Sequence, residues 1–369
     1  MTVSSIRTEN LRKEFGSVVA VEELNLHFPN GKFAALLGPS GCGKTTNMNM
    51  IAGLETPTRG SVYFDDRHMN DVPPGQRGVG FVFQNYAIFT HMTVADNIGF
   101  GLKIRGVDQA TMQRELGKIA ELLQITDMLG MNAGRLSVND MQKVALGRSM
   151  ITTPGIFLLD EPFSNLDAAF RAYMRGELKR IQRDIGQTMI YVTHDQIEAM
   201  SMADNIAVMD VGVLQQFGTP EEIYNQPVNT FVANFIGSPN MNFVTGRFEL
   251  EDGKGYLVQK QGGARVAMDD RRCQLLAQHA GSQDVILGVR PEHMTLHAQQ
   301  LKPELLRATV HFVEPLGPKT VVHLRLDGPD IIRVIAHASY RAAVATAQWV
   351  EMNPAYLHIF DAKTGLVIR

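Results

Sequence analysis

Phe33-Ala-Ala-Leu-Leu37, followed by Gly38-Pro39-Ser40-Gly41-Cys42-Gly43-Lys44-Thr45, is the stretch on which the reading of this chain turns. The apolar run is short and unbroken and ends on glycine, as a strand buried on both faces does. The residues after it match G-x-x-x-x-G-K-[ST], and Thr46 to Ala52 continue as a helical segment closed by Gly53. Strand before and helix after is the context that a phosphate-binding loop requires. Glycines let backbone N–H groups turn toward phosphate oxygens, and the following helix offers its positive end to an anion. Lys44 is expected on the terminal phosphates and the Thr45 hydroxyl on Mg²⁺.

Working outward, two further apolar runs read as buried strands. Ile156-Phe-Leu-Leu159 ends at Asp160, and Met189-Ile-Tyr-Val192 ends at Thr193 and His194. Helical patterns lie between them. In Thr111 to Leu129, Met112, Leu116, Ile119 and Leu123 recur at spacings of three and four, and Ala168 to Arg183 is rich in Arg, Glu and Ala. Alternating strands and helices predict an α/β fold with a mostly parallel, covered sheet. Near Gly237 the texture changes. Val285–Val289, Ala308–Val313, Thr320–Leu326 and Ile331–Ile335 are β-branched stretches, and Asp327-Gly-Pro-Asp330 is a turn signal. His311 and His323 read as polar positions on strand faces. We expect a domain over residues 1–237 and a second, small β-barrel-like domain over 238–369.

The chain has 369 residues, enough for two domains, with 44% apolar and 20% charged residues. A net charge of −3 does not fit a general nucleic-acid binder. No apolar run approaches the length of a membrane span, and Met1 to Asn10 does not read as a secretory signal. Two cysteines, Cys42 and Cys273, make neither a disulfide framework nor a zinc site, which fits a reducing compartment.

Asp160-Glu161 at a strand end supplies the second half of a nucleotide site. Asp160 is suited to supporting Mg²⁺ through water, and Glu161 to orienting or deprotonating an attacking water. His194, Gln84 and Phe15 are each ambiguous alone. In order, however, GPSGCGKT (38–45), Gln84, Leu136-Ser137, FLLDEP (157–162), Ser164-Asn-Leu-Asp167 and Thr193-His-Asp195 resemble the ATP-binding subunit of ABC transporters. The C-terminal part is similar to the branch of sugar and glycerol-phosphate importers that append an OB-like regulatory domain. Phe235–Phe243, Leu287–Glu292, Val313–Gly317 and His358–Gly365 carry that likeness.

The resemblance implies ATP and Mg²⁺ as ligands, held by Gly38, Pro39, Ser40, Gly41, Cys42, Gly43, Lys44, Thr45 and Thr46. It implies adenine stacking by Phe15 and metal contacts from Thr45, Gln84 and Asp160. Glu161 is then the catalytic carboxylate, with Gln84 and His194 at the γ-phosphate, and Asp167 reaches across a dimer interface. Two transmembrane permease subunits and a solute-binding protein complete such a complex, at the cytoplasmic face of a bacterial inner membrane. No nucleic acid is expected.

One departure stands out. The family clamps a partner's ATP with Leu-Ser-Gly-Gly-Gln, and this chain has Leu136-Ser137-Val138-Asn139-Asp140-Met141. Val138 is β-branched and suits close backbone approach badly, and Asp140 places a carboxylate beside an anion site. Asn47 is a milder departure at an ordinarily apolar position. The reading is therefore an importer ATPase for a carbohydrate or related polar solute, paired with a second ATPase subunit rather than with itself. The alternative is an ATP-binding regulatory subunit with little turnover. A soluble ABC-type ATPase of DNA repair or translation fits poorly, given the long β-rich C-terminal part and the absence of basic excess. Cys42, beside Lys44 and a helix N-terminus, is expected to be the reactive thiol.

Overall fold

The computed structural model describes residues 4–251, 254–260, 265–278, 284–302, 305–328 and 330–369. Its contacts divide the chain into two compact units, Met1–Ile223 and Tyr224–Arg369.

The first unit is built on a six-stranded sheet. Its order is Val213–Gly218, Asn205–Asp210, Phe33–Leu37, Thr188–Thr193, Ile156–Asp160 and Val79–Val82. All neighbours are parallel except the first pair. The three strands read from the sequence are present, and every residue of each is buried. A smaller antiparallel sheet is formed by Val18–Phe28, Ile6–Phe15, Arg59–Phe64 and Arg67–His68. Helix α1 (Lys44–Ala52) lies in the core shared by the two sheets. Its Met48, Met50 and Ile51 join Phe28 and Val62 from one sheet and Leu36, Leu158 and Ile190 from the other. Each such buried aliphatic side chain contributes roughly 1.5–3 kcal/mol, so α1 is held on both sides.

Helices α2 (Val94–Ile104), α3 (Gln109–Leu122) and α4 (Val138–Met150) pack on one another. Helices α5 (Ala168–Ile185) and α6 (Gln196–Met202) follow the strands at Ile156–Asp160 and Thr188–Thr193. The periodic pattern in Thr111 to Leu129 overran the real helix. Gln124 turns left-handed (φ 55°), which lets the Ile125 N–H bond back to the Ala120 carbonyl at 2.9 Å. That closure stops the helix and buries Ile125 without a glycine to announce it. No helix among the described residues is long and apolar enough to cross a membrane.

The second unit holds two five-stranded antiparallel sheets around one core. One has the order Arg265–Ala267, Lys254–Gln259, Asn242–Glu251, Asp284–Val289, His358–Asp361. The other has Met294–His297, Ala347–Met352, Leu306–Pro315, Lys319–Leu326, Ile331–His337. The four β-branched stretches are all strands of these sheets. The Asp327–Asp330 turn includes Pro329, which lies outside the described residues. Short helix α7 (Pro220–Asn225) spans the division of the chain between the units, and α8 (Thr230–Phe235) and α9 (Asp270–Gln278) belong to the second.

Contacts group residues 224–237 with this second unit, although the composition shifts only at Gly237. The reason is one buried cation. Arg290, 1% exposed, donates to the Tyr224 carbonyl from Nη2 (2.6 Å) and Nε (3.2 Å) and to the Ile236 carbonyl from Nη1 (2.6 Å). Its guanidinium also stacks on the Tyr224 ring at 3.6 Å. A single side chain thus satisfies carbonyls at both ends of the connecting segment. Arg290→Met strands those carbonyls in a dry site, so it should cost on the order of 3 kcal/mol. Denaturant melts of the full chain check this; a loss under about 1 kcal/mol would mean the segment is held by other contacts.

Candidate functional site

The register of the parallel sheet brings the site together. Leu37 pairs with Thr193, Asp160 with Val192, and Val82 with Leu159. The loops that leave these strands, carrying Gly38, His194, Glu161 and Gln84, therefore emerge at one edge. The carboxyl ends of parallel strands are where open α/β sheets bind ligands.

The phosphate loop has the required shape. Gly41 and Gly43 are left-handed, with φ of 79° and 92°. At Gly43 any Cβ would meet the Ala20 carbonyl at 2.3 Å, so glycine is obligatory there on both counts. Helices α2 to α6 all begin with a side chain that accepts a backbone N–H: Thr93, Asp108, Ser137, Asp167 and Asp195. Helix α1 begins on Gly43 with no side-chain cap and no acidic residue in its first turn. Its first amides are left to an external anion. The far end of α1 is closed by Arg77, which donates to the Met50 and Ile51 carbonyls at 3.0 and 2.8 Å.

Lys44 is buried and folds onto its own loop, donating to the Gly38 and Pro39 carbonyls at 2.8 and 2.7 Å. The Thr45 hydroxyl reaches Asp160 Oδ1 at 3.2 Å. Burial pushes the Asp160 carboxyl up, and the neighbouring Glu161 adds to the rise; Thr45 and Lys44 oppose it. A divalent cation beside Thr45 and Asp160 would relieve that desolvation. Thr45, Gln84 and Asp160 line one cleft of about 350 Å³ with Asn49 and Phe83. The donor set, a hydroxyl, an amide and a carboxylate, is the hard oxygen chemistry that Mg²⁺ prefers.

Glu161 stands in the left-handed region (φ 46°), a strain of roughly 1–2 kcal/mol for a residue with a Cβ. Its N–H bonds the Val192 carbonyl at 3.0 Å, which pins the turn. Its carboxylate meets Gln84 Nε2 at 3.4 Å through Oε2 and His194 Nδ1 at 3.2 Å through Oε1. Two residues from two other strand ends thus converge on the Glu161 carboxylate. Phe15 ends the strand Ile6–Phe15, pairs with Val18, and is 47% exposed. The next strand of the same hairpin presses Ala20 against Gly43.

Ser137, Val138, Asn139 and Asp140 form the N-terminus of α4, where Ser137 and Asp140 bond each other. The Ser137 hydroxyl accepts from the Asp140 N–H at 3.2 Å and donates to Asp140 Oδ2 at 2.6 Å. Asn139 Nδ2 donates to Asp167 Oδ2 at 3.4 Å. This helix end carries its own anion.

The sequence reading passed over Gln142, which is buried and joins the parts. Its Nε2 donates to the Glu161 carbonyl at 3.4 Å, and its Oε1 accepts from the Asn165 N–H at 3.1 Å. Glu198, also missed, is buried under the His194 loop and accepts from the Thr193 hydroxyl (2.7 Å) and Tyr191 hydroxyl (2.8 Å). Neither belongs to a run or spacing that marks a site. Asn47 is fully buried in α1 with no side-chain partner for Oδ1 or Nδ2, and nothing in the structure explains the choice.

Cys42 corrects an expectation. It is 3% exposed, and burial pushes its thiol up; Lys44, 3.6 Å from Sγ, lowers it but is outweighed. The thiolate that the loop was expected to favour is not the stable form. Iodoacetamide at neutral pH should modify the half-buried Cys273 before Cys42 in the folded chain. Site-resolved mass spectrometry checks the order, and Cys42 reacting first would restore the activated thiol.

Comparison with known proteins agrees with this geometry. The ABC transporter family model matches residues 21–164, the MalK OB fold domain model 237–294, and the TOBE domain model 287–360. The trehalose/maltose import ATP-binding protein MalK of Thermococcus litoralis is 44% identical, over 99% of this chain and 100% of that protein. The sn-glycerol-3-phosphate import ATP-binding protein UgpC of Vibrio cholerae is 42% identical over 93% of this chain and 89% of its own. The first unit is also similar to the ATP-binding cassette MJ0796, solved as a dimer bound to ADP and Pi, with a TM-score of 0.55 and 25% identity. That match covers 58% of this chain and 98% of the cassette. An uncapped helix behind a glycine loop, a clustered carboxylate and a C-terminal OB fold therefore have one explanation: the chain belongs to the ATP-binding import subunits of ABC transporters, an ATPase family.

Proposed function

We propose that this chain powers uptake of a carbohydrate or polyol phosphate, as the ATP-hydrolysing subunit of an importer. The observation that carries the reading is the bare N-terminus of α1 at the same sheet edge as a carboxylate bonded by Gln84 and His194. The names of its relatives, importers of trehalose, maltose or sn-glycerol 3-phosphate, support the solute class. Two permease subunits and a solute-binding protein complete the complex, with this chain peripheral to the cytoplasmic face of the membrane. In this reading residues 1–237 carry the nucleotide chemistry and residues 238–369 form the regulatory domain.

The geometry supports the following roles. The α1 amides and Lys44 bind the phosphates, Lys44 exchanging its loop carbonyls for phosphate oxygens. Phe15 offers its exposed face to adenine. Thr45, Asp160 and Gln84 hold Mg²⁺, which supplies charge neutralisation on the phosphates. Glu161 orients water and accepts its proton, while His194 and Gln84 fix the carboxylate's direction.

Lys44→Ala should weaken MgATP binding by at least about tenfold, since the phosphate charge loses its mobile cation. A fluorescent ATP analogue measures this; affinity within about twofold of the parent protein would refute the assignment. Glu161→Gln should keep binding and lose roughly 10²–10⁴ in turnover. Near-parental turnover would move the base elsewhere.

A second feature bears on assembly. With the Ser137 hydroxyl bonded to Asp140 and a carboxylate standing in the first turn of α4, this chain's clamp for a partner's ATP is weak. A homodimer would pair two good carboxylates with two weak clamps. Pairing with a second ATPase subunit that carries an intact signature avoids this, and Asp167 then lies at the shared interface. The reading of a low-turnover regulatory subunit rests on the same Asp140 contact. Glu161→Gln here should stop transport, whereas the equivalent change in the partner should do less. Equal effects, or a fully active purified homodimer, would exclude the mixed pair.

A further inference from the structure

A cleft of about 430 Å³ lies among residues of the second unit alone. Four segments build it: Asn225 to Pro227, the exposed side of α9, the start of the strand His358–Asp361 with Leu357 before it, and Val367 to Arg369. Arg271, Arg272, Arg369 and His358 line it, and no Asp or Glu does. In a chain of net charge −3, three guanidinium groups around one cavity with no Asp or Glu among its described lining residues form a localised positive field.

The four basic residues are not equivalent. Arg272 is structural. It pairs with Asp269, and its Nε and Nη2 donate to the Leu357 carbonyl at 3.2 and 2.6 Å. Arg369 spends one N–H on the Gln226 carbonyl at 3.1 Å. Arg271 is exposed and has no hydrogen-bond or ion-pair partner among the described residues. His358 stacks on Phe360 with ring centroids 6.3 Å apart, and its nitrogens have no partner among the described residues. Burial, reinforced by the charges of Arg290, Arg272, His293 and Arg369, lowers His358 to about 4. At neutral pH its imidazole is therefore uncharged and offers one donor and one acceptor. The remaining wall is partly apolar, with Leu275, Ile359 and Ile368.

We propose that this cleft binds a phosphate monoester, the phosphate between Arg271, Arg369 and His358 and the organic body along Leu275, Ile359 and Ile368. Guanidinium forks match phosphate oxygens pairwise, and a dianion answers more than one of them. An apolar wall beside the cations gives an ester an advantage over free phosphate, which would leave that wall bare. Nothing in this inference depends on hydrolysis at Glu161 or on the identity of the imported solute. Occupancy would tie the connecting segment, α9 and the C-terminal residues together, and so place a ligand signal in the second unit.

The test is calorimetry on the full chain saturated with MgADP, which removes the phosphate loop from competition. Glucose 6-phosphate and phenyl phosphate serve as ester probes, with inorganic phosphate and glucose as separate arms. We expect one site per chain for at least one ester, inorganic phosphate weaker by at least about tenfold, and no glucose binding. The double variant Arg271→Glu/Arg369→Glu should weaken the ester at least about tenfold while leaving MgADP affinity unchanged and lowering the melting temperature by no more than roughly 5 °C, the cost of the one Arg369 bond to the Gln226 carbonyl. No binding of either ester, inorganic phosphate binding as tightly as the esters, or indifference to the double variant would each overturn the proposal.

Discussion

The site depends on a helix whose first turn has no side-chain cap among the described residues. A helix N-terminus carries about half a positive charge, and proteins ordinarily satisfy it with a side chain. Five helices of the first unit follow that habit, and α1 does not. Leaving it bare is tolerable because α1 is fixed by burial rather than by its ends. Its Met48, Met50 and Ile51 are locked between two sheets, and Arg77 satisfies its last carbonyls. Anion affinity is thus stored in a helix that cannot move away to relieve it.

The catalytic side uses a related device. Glu161 is held in an unfavourable backbone conformation by a bond to the neighbouring strand and by Gln142 beneath its carbonyl. The strain aims its carboxylate toward the strand ends from which Gln84 and His194 arrive. Sheet register does the remaining alignment. A shift of one residue between Ile156–Asp160 and Thr188–Thr193 would reverse the faces of one strand and separate the carboxylate from the histidine.

The same physics runs in the opposite sense at α4. There the helix end is filled by Asp140, whose carboxylate is bonded to the capping Ser137. A carboxylate favours the helix locally and repels a phosphate that approaches the same amides. Two helix termini in one unit therefore differ in whether the anion comes from within the chain. In the second unit the polarity problem is solved by cations instead. Arg290 is consumed by carbonyls, and Arg272 nearly so, whereas Arg271 has no hydrogen-bond or ion-pair partner among the described residues.

Local features of the chain were legible without a structure. The glycines of the loop, the unbroken apolar runs and the β-branched stretches after Gly237 each carry a short-range physical signal, so strands, loop and fold class follow from them. Family motifs extended that reading to Glu161, Gln84 and His194, which no single spacing would single out. Other features required the tertiary structure. The stop of α3 at Gln124 has no glycine, and the grouping of residues 224–237 with the second unit depends on Arg290, more than fifty residues further along the chain. Cys42 shows the limit most clearly. Sequence places it beside a cation and a helix terminus, which lower a thiol's pKa, but only the fold reveals that it is buried, and desolvation outweighs both. Sequence determines which groups are neighbours along the chain; burial and long-range pairing, which set the sign of their interactions, are decided by the packed structure.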